Sequence, residues 1–170
     1  MSEAAAASAG CMRIDQIRPE AIRELVGRYA LSVEFATAAG DIAHSYWGAP
    51  EAGIAGHTVF VRADTPVHSL LHELCHIVCM TDERRSNLAR DAGGDPEEEC
   101  AVCYLQILLA DALPGFGKQR CLDDMDAWGY SFREGSVRAW FTGDGREART
   151  WLQTQGLINP QSCPTWRLRR

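Results

Sequence analysis

The stretch His57-Thr-Val-Phe-Val-Arg-Ala-Asp-Thr-Pro-Val-His-Ser-Leu-Leu-His-Glu-Leu-Cys-His76 changes its hydrophobic period once, and that change sets the architecture. Residues 57–62 are rich in β-branched and aromatic side chains and predict a strand. Thr65-Pro66 then reads as a helix start, a hydroxyl N-cap followed by a proline at the first helical position, where no N–H is needed. From there Val67, Leu70, Leu71, Leu74, Ile77 and Val78 keep helical spacing and form an apolar stripe that must be buried. The other face carries His68, His72, Cys75, His76 and Cys79. A merely solvated face would carry long charged side chains, whereas these are metal-ligand types.

Residues 72–76 spell H-E-x-x-H. On a helix the two histidines stand one turn apart on one face, about 6 Å along the axis, so both imidazoles can reach one zinc ion. Glu73 borders that face and can take a proton from a metal-activated water. The expected chemistry is zinc-dependent hydrolysis. His68 continues the row but lies about 12 Å along the axis from His76, too far to share the ion, and is expected as an outer donor or substrate contact.

A third ligand is sought in Asp95-Pro-Glu-Glu-Glu-Cys-Ala-Val-Cys-Tyr-Leu-Gln-Ile-Leu-Leu109. Asp95 caps, Pro96 takes the first helical position, and acidic residues fill the first turn, where the helix dipole favours them. Projected from Glu98, Ala101, Val102, Leu105, Leu108 and Leu109 fall on or near one face, so Glu98 is expected on the packed side. A carboxylate turned inward needs a partner, and zinc would supply one.

These two helices resemble the gluzincin arrangement of zinc peptidases, and in particular the H-E-L-G-H and E-x-x-A-(N/D)-x-F-A-x-x-L-L pattern of the ImmA/IrrE-type metallopeptidases. The match covers about 40 residues, with Ala101, Tyr104, Leu108 and Leu109 on the packing positions. Cys75 stands where the pattern has glycine, and Val102 where it has Asn or Asp. The resemblance implies His72, His76 and Glu98 as ligands of one zinc per chain, Glu73 as general base, and a peptide or protein substrate. It also implies a zincin-like α+β fold, a small mixed or antiparallel sheet beside the H-E-x-x-H helix, a second ligand-bearing helix and additional C-terminal helices.

Outward from this centre, residues 19–30 predict a first helix through Ile22, Leu25, Val26 and Tyr29, and residues 32–36 a strand pairing with 57–62. Residues 43–50 form a Gly/Pro-punctuated loop or short strand with Tyr46 and Trp47 available to a cleft. Helices are expected near 118–125 and 146–155. Tyr104, Tyr130, Arg133, Arg138, Tyr46 and His57 are the candidates for stabilising an oxyanion. His68, His57, Tyr46 and Tyr130 are the possible outer or substrate-binding residues.

At 170 residues, 46% hydrophobic and 24% charged, the chain reads as one globular domain over 11–170, with a disordered Ala/Ser-rich start over 1–10. A net charge of −6 argues against nucleic-acid binding, and no apolar run is long enough to span a membrane. The absence of a basic, apolar leader suggests the cytoplasm, where the seven cysteines are thiols before they are disulfides. The competing expectation is a non-catalytic, zinc-stabilised interaction or regulatory protein on a zincin scaffold. A metal-dependent hydrolase of a non-peptide substrate such as RNA is disfavoured by the 68/72/76 spacing and the acidic charge, and a structural Cys₄ site from Cys75, Cys79, Cys100 and Cys103 by the projection of Cys100 and Cys103 away from the Glu98, Ala101 and Leu105 face.

Overall fold

The computed structural model describes residues 10–133 and 135–170, so the expected disorder of the N-terminus falls, apart from Gly10, outside the described residues. Among the described residues the architecture is α+β, a small three-stranded mixed sheet with seven α-helices. After a short 3-10 turn, Ile14–Gln16, the elements run α1 (Pro19–Gly27), β1 (Ser32–Phe35), β2 (Gly53–Ala55), β3 (Thr58–Val61), α2 (Val67–Cys79) and α3 (Asp82–Ser86). Then follow α4 (Pro96–Ala110), α5 (Gly117–Trp128), α6 (Val137–Thr142) and α7 (Arg146–Thr154).

The sheet order is β1-β3-β2, with β1 parallel to β3 and β2 antiparallel to it. The expected pairing of the first strand with 57–62 is therefore present, in the register Ser32 opposite Thr58. Alternation along β3 puts Val59 and Val61 fully inside the core while Thr58 and Phe60 are half-buried. Helix α1 packs on β1, and α2 packs on β2 and β3 through the predicted stripe, of which Val67, Leu70, Leu71, Leu74, Ile77 and Val78 are all inaccessible.

The start of α2 differs from the sequence reading. Thr65 does not cap it; its Oγ1 accepts from the Arg62 N–H at 2.9 Å and closes the turn out of β3. The first free N–H, on Val67, instead donates to the Met12 carbonyl at 2.8 Å, supplied by a segment far back in the chain. Asp95 does cap α4 as expected, accepting from the Glu98 N–H at 2.8 Å, with Pro96 in the first turn.

Helices α2 and α4 form the central pair, and α5 and α7 cover α4 on other sides. Consequently α4 is buried nearly all round, from Ala101 through Ile107 and again at Leu109 and Ala110. Residues 167–170 return to this pair: the Arg169 N–H donates to the Val78 carbonyl at 3.0 Å, and Arg85 Nη2 donates to the Arg169 carbonyl at 3.0 Å. Among the described residues no helix is long and apolar enough to cross a membrane.

Candidate metal centre

Helical phase brings His72 and His76 together as expected, with their rings nearly perpendicular and their Nε2 atoms 3.1 Å apart. The carboxylate that meets them is Glu99, not Glu98. Its Oε1 lies 3.3 Å from His72 Nε2 and its Oε2 lies 3.3 Å from His76 Nε2. Among the described residues these three form the group of ligand-type side chains close enough to share a metal ion.

Glu98, one step round the helix, points the other way. Its carboxylate accepts from Arg84 Nη1 at 2.9 and 2.8 Å and from Arg169 Nη1 at 3.0 Å, and it is buried. The expectation that an inward carboxylate needs a partner holds, but two guanidinium groups satisfy it. The face of α4 that meets α2 is therefore Glu99, Cys103 and Gln106, at i, i+4 and i+7. The E-x-x-A register that begins at Glu98 is one residue out from the carboxylate beside the histidines.

Gln106 fixes the chemistry of His72. Its Oε1 accepts from His72 Nδ1 at 2.7 Å, while its own Nε2 donates to the His68 carbonyl at 3.3 Å, so the amide orientation is set from both ends. With Nδ1 donating to Gln106, Nε2 is the ring atom that His72 turns towards His76 and Glu99. This is the outer-partner arrangement that orients metal-binding histidines.

The three groups shift one another's proton affinities strongly. Burial opposes charge on His72, yet its pKa lies well above the ordinary value, the Glu99 carboxylate beside it favouring the charged ring. Burial and the neighbouring His72 charge push His76 down to about 3. Glu99 is held below the usual carboxylate range: burial opposes ionisation, but the hydrogen bond from His72 and the charge of both imidazoles prevail. His76 Nδ1 is buried without a partner among the described residues.

Beside this group opens a pocket of about 390 Å³ whose wall includes His72, Glu73, Glu99, Trp47, Trp128 and Tyr130. Burial, with Glu51 and Glu99 adding to it and His72 opposing, raises the Glu73 carboxyl to about 7. Tyr130 sets the edge of its ring against both His68 and His72, and its hydroxyl lies 3.3 Å from His68 Nδ1. His68 is inaccessible, packs on Trp128, and takes no part in the ligand group.

Of the other sequence candidates, Tyr46 is exposed and reaches the pocket only through its edge-on contact with Trp47. His57 sits exposed in the turn between β2 and β3, away from the pocket wall. Tyr104 stacks on Phe141, and Arg138 pairs with Asp123. Cys75 and Cys79 are inaccessible, Cys100 and Cys103 border the pocket, and these four do not converge as a Cys₄ site.

Sequence reasoning missed Gln106, Glu99 and Glu51, which also borders the pocket. One signal was available for the first: a lone amide in an otherwise apolar helical run must find buried partners. Comparison with protein-family models, with curated proteins and with solved structures finds none that matches this chain.

Proposed function

We propose that this chain is a zinc-dependent hydrolase on a zincin-like scaffold, a peptidase of gluzincin type, with His72, His76 and Glu99 as the metal ligands and Glu73 as the general base. One observation carries the reading: His72, His76 and Glu99, on two helices, each offer a ligand atom within 4.8 Å of the others. At zinc–ligand distances of about 2.0–2.1 Å, the edges of a tetrahedron are about 3.3–3.4 Å long; the two imidazole Nε2 atoms stand 3.1 Å apart, and each Glu99 oxygen stands 3.3 Å from a different imidazole. The peptide as substrate rests on the resemblance of this donor set to the gluzincin pattern.

Bound there, zinc would activate water and polarise a carbonyl. Glu73, one residue from His72 and facing the pocket, accepts the proton and returns it to the leaving amine; a carboxyl poised near neutrality suits both transfers. Tyr130, on the pocket wall beside His72, would donate its hydroxyl to the developing oxyanion. Burial, the main cause, holds its phenol pKa well above the ordinary value, so the hydroxyl keeps its proton. Gln106 holds His72 in the tautomer that leaves Nε2 free.

The test is metal content by elemental mass spectrometry for wild type, Glu99→Ala and Glu98→Gln. About one zinc per chain is expected in wild type and Glu98→Gln, with zinc lost or greatly weakened in Glu99→Ala. Undiminished zinc in Glu99→Ala would overturn the ligand set.

A further inference from the structure

Among the described residues the pocket beside the histidines holds three carboxylates, and two have assignments: Glu99 meets the histidines, and Glu73 is one residue from His72. Glu51 is the third. It lies in the segment entering β2, pinned against the metal helix by the Ala52 N–H donating to Ser69 Oγ at 3.0 Å. A Cβ on Gly53 would collide with the Ala43 carbonyl, so the segments on either side of the 46–51 loop are held in close contact. Glu51 is half-buried, and no ion pair or hydrogen bond engages its carboxylate among the described residues. Burial raises its pKa, with only His72 acting against this.

A half-buried carboxylate without a counter-charge is a poor stabiliser of its own fold and a good receptor for a cation. Among the described residues no Lys or Arg lines this pocket. With a dication among the ligands and the Glu73 carboxyl poised at about 7, the charges of Glu51, Glu73 and Glu99 leave the pocket between neutral and about one unit negative, with Glu51 as the charge not used by the ligand group. It therefore repels a free carboxylate end and attracts a cation. Trp47, Trp128 and Phe132 wall the same space, offering apolar contact and ring faces that favour an ammonium group.

We infer that Glu51 is a specificity residue that binds a primary ammonium group of the substrate, so that the pocket takes a cationic amine flanked by an apolar side chain and not a carboxylate end. This rests on the hydrolase reading above and deepens it: the free α-amino group of a peptide or a lysine side chain would supply the ammonium, and cleavage would occur beside it. Glu51 touches the substrate away from the reacting carbonyl, and its contribution is to binding.

The test is calorimetric titration of wild type, Glu51→Gln and Glu51→Asp with three probes: phenylalanine amide, N-acetylphenylalanine amide and N-acetyllysine methylamide. Phenylalanine amide is expected to bind wild type at least tenfold more tightly than its acetylated form, and Glu51→Gln to remove that difference. Glu51→Asp, which keeps the charge on a shorter arm, should retain part of it. Preference for the lysine probe would assign the ammonium to a side chain and support the inference equally. Equal binding of free and acetylated amides, an unchanged preference in Glu51→Gln, or no binding of any probe would overturn it. Titrations with and without one equivalent of zinc separate the two readings. Ammonium selectivity in a chain that holds no zinc would sink the hydrolase and leave the Glu51 site standing; zinc binding without selectivity would do the reverse.

Discussion

Arg169 Nη1 lies 3.0 Å from Glu98 Oε2, joining the chain's last residues to the first turn of the helix that carries Glu99. Arg84 completes the cluster from α3, and Arg169 also donates to the Cys79 carbonyl at the end of α2. This clamp ties the C-terminal end of α2 to the first turn of α4. Removing the Glu98 charge strands two guanidinium groups that are themselves partly buried, and the cost is about 2–3 kcal/mol. Glu98→Gln is therefore expected to lower the urea midpoint while zinc binding persists. A Glu98→Gln protein as stable as wild type would mean that the clamp contributes nothing.

The consecutive residues Glu98 and Glu99 show where sequence reading succeeds and where it stops. The H-E-x-x-H helix was legible because α2 is amphipathic: one apolar stripe against the sheet leaves only one face for the histidines. Helix α4 is covered by α2, α5 and α7 together, so nearly every position is buried and no stripe fixes its rotation. A phase chosen one residue out turns the projection by about 100°, which exchanges Glu98 for Glu99. The partners of Glu98, at 84 and 169, come from a five-residue helix and an irregular segment, neither of which has a period to read. β2 and α6, with three and six residues, were missed for the same reason.

Gln106 should act on metal affinity without touching the metal. Gln106→Leu keeps the volume but leaves His72 Nδ1 without an acceptor and frees the ring to choose the other tautomer. Loss of such an outer partner weakens metal binding by about 10–100-fold. Competition against a chromophoric chelator measures this directly, and an unchanged zinc affinity would show that packing alone holds the ring.

His68 predicts an acid limb of stability. Burial, assisted by the His72 charge, holds its pKa at about 3, and its Nε2 is buried without a partner among the described residues. The unfolded chain takes up that proton near pH 6.5, so the stability is fully present above this pH and is lost as the pH falls towards 3. Between pH 6.5 and 5 one such group accounts for about 2 kcal/mol, and His76 acts in the same direction. In chelator-treated protein, His68→Phe keeps a ring against Trp128 and should flatten the fall in melting temperature between pH 7 and 5. Parallel curves for variant and wild type would assign the acid limb to other groups.

Glu73 separates an enzyme from a metal-stabilised binding protein on the same scaffold. Glu73→Gln removes the proton acceptor yet leaves His72, His76 and Glu99 in place, so zinc content should match wild type. Peptide hydrolysis, measured by mass spectrometry on a mixed peptide library, should fall by about two to four orders of magnitude. The substitution also removes a carboxyl that burial has raised from 4.5 to about 7, so chelator-treated Glu73→Gln should gain stability relative to wild type as the pH rises from 4.5 to 7, and the difference should level off above that. Wild type that binds zinc but cleaves nothing in the library, with an identical Glu73→Gln, would favour the binding protein. Retained turnover in zinc-loaded Glu73→Gln would remove Glu73 as the base.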